Sequence, residues 1–237
     1  MLAVLILGSG PSVTDCTHWP RAPFDRIIAI NNAWQVRSDW DDLIHPSDFP
    51  PDRQPPSVTA GQRIITADDY VPAQNACGGF VYAGGTMAFT AGYWALAALK
   101  PSVMAFLGCD MVYPATGPTH FYGTGTPDPL RQDVTLRSLP AKSARLQVMA
   151  ARAGCACINL STVDSQLVFP RGHRDDLVRP TSPFDRSIAA QADAEEARLN
   201  YYVPSGKYWK EEDRFDPVAI DALDAMWLAA AQNTLSS

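Results

Sequence analysis

The sequence predicts an α/β protein with a Rossmann-like three-layer α/β/α fold, a mostly parallel sheet and a helical C-terminal extension. Three observations predict it. Apolar runs of strand length recur with helical or loop segments between them. The first run ends directly in a glycine turn, Gly8-Ser9-Gly10-Pro11-Ser12. Two helical stretches pass straight into a strand, one through Pro101 and one through Gly154, which is half of a βαβ unit in each case.

In chain order, strands are expected at Leu2–Leu7, Arg26–Asn31, Leu43–His45, Arg63–Thr66, Val103–Leu107 and Cys155–Leu160. Leu2–Leu7 and Val103–Leu107 are hydrophobic without alternation, which suits central strands covered on both faces. A short helix is expected after the first glycine turn. The clearest helix, Thr86–Lys100, is apolar nearly all round and so is enclosed by its own domain. A second, Ala141–Ala153, has Leu146, Met149 and Ala150 at helical spacing. Pro46 to Pro56 holds five prolines and reads as an extended surface loop. Tyr113 to Leu139, rich in Gly, Pro and Thr, reads as a lid or binding loop. Ser182-Pro183-Phe184-Asp185 resembles a capping box opening a helix to about Asn200, and Asp216-Pro217 opens the last helix. In that last helix Leu223, Met226, Trp227 and Ala230 form one apolar stripe, which docks on a core or on a second subunit. Residues 1–172 are therefore expected to form the nucleotide-binding domain and 173–237 a helical extension, with a homo-oligomer through the extension as one option.

A chain of 237 residues with 46% hydrophobic content buries roughly two-thirds of its unfolded surface, enough for a core without disulfides or metals. The cysteines Cys16, Cys77, Cys109, Cys155 and Cys157 are odd in number and lack zinc spacing, so they read as reduced thiols in a cytoplasmic protein. The apolar N-terminus has no basic leader and reads as a strand. The longest apolar stretch falls short of a membrane span, so no transmembrane helix is expected. Of the net charge of −6, most lies late: from Arg174 onward there are twelve acidic and seven basic residues. No basic stripe is present, which argues against nucleic acid as a partner.

The turn Gly8-Ser9-Gly10-Pro11-Ser12 stands where open α/β sheets offer backbone N–H groups to an anion. A dinucleotide fingerprint needs a further glycine at position 13, which is Val13, and an acid at the next strand end, where Asn31-Asn32 stands. NAD is thus disfavoured, and the two amides suit a base edge or a ribose. A second turn, Gly84-Gly85-Thr86, opens the enclosed helix and offers N–H groups, a capping hydroxyl and the positive end of a helix dipole. Beyond the strand Val103–Leu107 come Asp110, Tyr113, His120 and Tyr122, at the edge where substrates of such sheets bind. His120 is the general acid or base candidate. Asp110 orients it, holds a sugar hydroxyl or caps a turn. His45 closes the third strand at the same edge. His45, Asp48, Asp110 and His120 lack the local spacing of a metal site, so no metal is expected.

These pieces, in this order, resemble the bacterial sialyltransferases of glycosyltransferase family 42 and the related pterin-diphosphokinase proteins. The resemblance runs over about residues 2 to 162. It is carried by Leu5-Ile6-Leu7-Gly8-Ser9-Gly10-Pro11-Ser12, Ala29-Ile30-Asn31-Asn32, Ile44-His45-Pro46, Gly84-Gly85-Thr86 through Leu99, and Leu107-Gly108-Cys109-Asp110 with Tyr113. It implies a CMP-linked nucleotide-sugar as donor substrate, with Ser9, Gly10 and Asn31 near the nucleotide, Gly85 and Thr86 near ribose or phosphate, and Tyr113 and Tyr122 near the phosphate. His45 stands where the family has an asparagine. The family's catalytic histidine has no counterpart, because the matching segment reads Arg137-Ser138-Leu139-Pro140-Ala141-Lys142. The expectation is a glycosyltransferase-like protein that moves a sugar to an acceptor hydroxyl of a glycan or small molecule, without metal or other cofactor, His120 taking the proton. The alternatives are a diphosphokinase of the pterin type and a non-catalytic nucleotide- or glycan-binding protein.

Overall fold

The computed structural model describes residues 1–124 and 131–232, so part of the expected lid loop, residues 125–130, lies outside the described residues. Six strands form one sheet: β1 (Ala3–Leu7), β2 (Arg26–Ile30), β3 (Asp42–Ile44), β4 (Arg63–Ile65), β5 (Val103–Leu107) and β6 (Ala156–Asn159). Each expected strand is present to within one residue at either end. The order is β4-β3-β2-β1-β5-β6 and every pairing is parallel. The chain builds outward from β1 through β4, crosses back, and resumes on the other side of β1 with β5. The order therefore reverses between β1 and β5, the switch point at which such sheets open a crevice.

Side-chain alternation sorts the strands into two cores. Val4, Ile6, Ile28, Ile30, Met104 and Phe106 face α1 (Ala67–Asn75), α3 (Met87–Ala98) and α4 (Leu139–Arg152). Leu5, Leu7, Ile27, Ala29, Ala105 and Leu107 face the opposite layer. There the expected short helix is a 3-10 turn, Pro11–Cys16, joined by a second at Asn31–Gln35. Segment Pro46 to Pro56 is irregular apart from a 3-10 turn at Pro51–Arg53. Two helices escape sequence reading. One is α1, capped by Thr66 and Asp69 but interrupted by Pro72; the other is α2 (Phe80–Ala83), a single turn bracketed by Gly79 and Gly84. Among the described residues, no helix is long and apolar enough to cross a membrane.

The C-terminal helices α5 (Arg186–Leu199) and α6 (Pro217–Gln232) pack on the sheet domain. The N-cap of α5 is Asp185 alone, which accepts from the amides of Ser187 and Ile188, so Ser182 has no capping role. Of the stripe read from the sequence, Leu223, Trp227 and Ala230 are buried with Val81 and Tyr82 of α2 and Val148 of α4 in a third core, and Met226 packs against it partly buried. The stripe is used within this chain.

Two buried ion pairs fasten α4 to that layer. The Arg145 guanidinium donates Nε to Glu196 Oε1 at 2.6 Å and Nη2 to Oε2 at 2.8 Å. It also donates to Tyr93 Oη at 2.8 Å and Cys77 O at 2.6 Å, while Trp227 Nε1 donates to Glu196 Oε1 at 2.8 Å. Lys142 Nζ donates to Asp224 Oδ1 at 2.8 Å. Burial nevertheless pushes the Asp224 carboxyl above its ordinary range, with Lys142 acting against it. Breaking one side of such a pair strands the other charge without water. Replacing Arg145 by Met is expected to cost about 3–5 kcal/mol, read from the midpoint of a urea unfolding curve; a loss within about 0.5 kcal/mol, the range of an ordinary surface change, would contradict the pairing.

Candidate active site

The crevice at the switch point is a cleft of about 490 Å³, within the range of small-molecule sites. Its walls are four sequence-distant segments: Gly8–Ser12 after β1, Ile30 and Asn31 at the end of β2, Thr86–Ala88 at the start of α3, and Gly108–Pro114 after β5. Pro118, Thr119, His120, Tyr122, Val163 and Asp164 close the outer side. Of the residues singled out from sequence, Gly8, Ser9, Gly10, Ser12, Asn31, Thr86, Asp110, Tyr113, His120 and Tyr122 line the cleft together.

The glycine turn has a different physical origin from the phosphate cradle expected of it. The amide of Gly8 donates to Leu107 O and that of Gly10 to Gly108 O, both at 2.8 Å. A Cβ on Gly8 would collide with the Gly108 carbonyl, and one on Gly10 would lie 2.8 Å from it. Gly108 itself has φ +70°, which glycine adopts without strain. Both glycines are there because the β1 and β5 turns nest, and their amides are already engaged.

The second glycine turn is likewise engaged within the protein. Gly85 N donates to Thr135 Oγ1 at 3.1 Å, and a Cβ there would meet Thr135 Oγ1 and Tyr208 Oη at 2.5 and 2.7 Å. Gly84, at φ +91°, donates its amide to Phe80 O. Neither lines the cleft among the described residues. What faces the cleft is the start of α3 itself. Thr86 Oγ1 caps the amide of Phe89 at 3.4 Å, leaving those of Met87 and Ala88, which have no intrahelical partner, at the positive end of the helix.

Asn32 and His45 also fall outside the cleft. Asn32 is buried in the 3-10 turn after β2. His45 is buried against Phe49, its ring 5.1 Å away, with Nδ1 bonded to Pro46 O at 2.9 Å.

Asp110 does not reach His120. Its Oδ2 accepts from Ser12 Oγ at 2.9 Å and from Ser161 Oγ at 2.5 Å, and the two hydroxyls are 2.7 Å apart. The carboxylate thus ties the end of β6 to the two nested turns. Ser161, two residues beyond β6, was not recognisable as part of this cluster from sequence; its place just past a strand end was the one available signal. Asp110 is 5% exposed, and among the described residues its Oδ1 has no partner.

His120 is held by its backbone and its neighbours. Its N–H and C=O pair with Gly123 at 3.0 and 3.1 Å, and the next amide, Phe121 N, donates to Ser9 O at 3.0 Å. Its Nδ1 shares a hydrogen bond with Thr119 Oγ1 at 2.9 Å. The imidazole stacks on Tyr122, with centroids 5.0 Å apart and planes at 19°, and lies 6.1 Å from the Tyr113 ring. Burial lowers its pKa below the ordinary histidine value. The neutral, proton-accepting form is therefore the resting form at neutral pH. Cys109, also in the wall, is pushed far up by burial and stays a protonated apolar surface.

The charged groups in the wall are the carboxylates Asp110 and Asp164, with no lysine or arginine among the described lining residues. Among the described residues no three His, Cys, Asp or Glu side chains group as metal ligands.

Two measurements check this geometry. Replacing Gly8 by Ala is expected to destabilise the fold by about 1–3 kcal/mol through overpacking against Gly108, and an unchanged thermal midpoint would contradict the nesting. The imidazole proton shifts of His120 are expected to titrate below pH 6.5, because the folded state binds that proton more weakly than the unfolded chain does. This group accordingly withdraws stability as pH falls through 6.5, and a midpoint at or above 6.5 would contradict its partial burial.

Compared with known proteins, the chain matches no family model, no curated protein and no solved structure.

Proposed function

We propose that the cleft binds a nucleotide monophospho-sugar, with CMP as the favoured nucleotide, and that the protein passes the sugar to an acceptor hydroxyl. The observation that carries the reading is the meeting, at the β1/β5 switch point, of a helix N-terminus with a half-buried neutral histidine stacked on a tyrosine. The Met87 and Ala88 amides offer donors for one phosphate. Neighbouring carboxylates, with no basic side chain among the described lining residues, disfavour the several negative charges of ATP. That weakens the diphosphokinase alternative, as does Asp48, which lies outside the cleft lining.

In the transfer, His120 accepts the proton of the acceptor hydroxyl as its oxygen bonds to the sugar's anomeric carbon. The bond from that carbon to the phosphate oxygen breaks, and CMP leaves with the electron pair. The α3 N-terminus, with Tyr113 and Tyr122, stabilises the charge that accumulates on the departing phosphate. A binding protein without turnover is the second reading, favoured by one observation: among the described residues His120 Nδ1 is bonded to the Thr119 hydroxyl and to no carboxylate.

Calorimetry with CMP, UMP and ATP tests the first reading. Binding of CMP at submillimolar Kd, tighter than ATP, is expected; no heat from any of the three at millimolar concentration would overturn it. His120→Ala is expected to leave CMP affinity within about threefold and to lower transfer by about 10²–10⁴. CMP binding without hydrolysis or transfer in the unsubstituted protein would instead select the second reading.

A further inference from the structure

We infer that the sugar-binding part of this cleft accepts an uncharged or amino sugar and rejects an acidic one. The inference rests on the sugar-binding half of the proposed function, not on the nucleotide, and it concerns only the charge class of the sugar.

Ser9 Oγ, Asn31 Oδ1 and Asp110 Oδ1, at the ends of the adjacent strands β1, β2 and β5, are cut off from solvent and make no hydrogen bond among the described residues, although all three residues line the cleft. A buried acceptor without a donor is costly, and two of these three atoms are obligate acceptors. The three strands are adjacent in the sheet, so the three residues follow one another as a row along the cleft. A ligand that satisfies the row carries several hydroxyl or amino donors.

The charge of the wall then narrows the ligand further. Asp110 is 5% exposed and has one oxygen already saturated by Ser12 and Ser161, so the other oxygen is the acceptor still lacking a donor. Asp164 adds a second carboxylate at the exposed rim. A carboxylate on the ligand brings acceptors to acceptors and like charge to like charge; an ammonium or hydroxyl brings the missing donor. On the outer side, the stacked pair of His120 and the exposed Tyr122 offers a ring face to the apolar side of a pyranose.

The test uses the full chain and four methyl glycosides as probes, with and without saturating CMP: N-acetylglucosaminide, glucosaminide, glucuronide and the glycoside of N-acetylneuraminic acid. Saturation-transfer NMR is expected to give at least tenfold tighter Kd for the first two than for the two acids. Asp164→Asn, at an exposed site, and Asp110→Asn, which keeps the shape of the side chain, are expected to narrow that ratio. Acidic glycosides binding as tightly as neutral ones, or no glycoside binding at all, would overturn the inference. If CMP fails to bind while the glycosides still discriminate, the nucleotide reading falls and this inference stands. If CMP binds and the acidic glycosides are preferred, the reverse holds.

Discussion

The Gly108 carbonyl occupies the space that a side chain at residue 8 or 10 would need, and the rest of the site depends on that close approach. Strands β1 and β5 are neighbours in the sheet, but their chains depart toward opposite sides. With ordinary residues at these positions the two departing turns would be forced apart. With glycines, the Gly8 and Gly10 amides bond directly to Leu107 O and Gly108 O. The Ser12 hydroxyl is thereby brought to Asp110 and Ser161, and Ser9 O to the amide that follows His120. One backbone contact therefore sets the positions of the carboxylate, the hydroxyls and the histidine loop.

The C-terminal layer is bonded to the site's surroundings, and none of its described residues lines the cleft. Tyr208, in the segment between α5 and α6, donates to Asp133 at 2.7 Å; Asp133 accepts from Thr135 Oγ1 at 2.6 Å, and Thr135 in turn accepts from the Gly85 amide. That chain of bonds reaches the residue before the α3 cap. The Arg145–Glu196 pair and the stacking of Arg145 over Trp227, 5.4 Å from its ring, fix α4 to the same layer. A helix N-terminus aimed at an anion is useful only if it does not move when the anion arrives, and preorganisation of this kind is what electrostatic stabilisation requires.

Much of this was legible beforehand for definite reasons. Buried parallel strands are continuous apolar runs, and each ends at punctuation that reads plainly: Gly8, Asn31, His45-Pro46, Gly108. Helix α3 was legible because Thr86 caps it and Pro101 follows it. Helix α1 was not, because Pro72 inside it argues locally against a helix that tertiary packing on the sheet sustains. Within the site, the positions of Asn31, Thr86, Asp110 and His120 at one sheet edge followed from topology alone. The roles of the glycines did not follow. A glycine needed because protein approaches it looks the same in sequence as one needed because a phosphate does, and Gly8, Gly10 and Gly85 are all of the first kind. The Asp110–Ser161 bond joins residues 51 apart, a separation that no local pattern encodes.

The proposed ligand site is the cleft between the β1 and β5 ends. The most direct measurement is a titration of isotope-labelled protein with CMP, followed through the backbone amides and the histidine rings. The largest shifts are expected at Met87 and Ala88 and at the His120 imidazole, with His45 and the α5–α6 layer unchanged. Shifts centred on the α5–α6 layer, or none at the start of α3 while CMP binds, would contradict it.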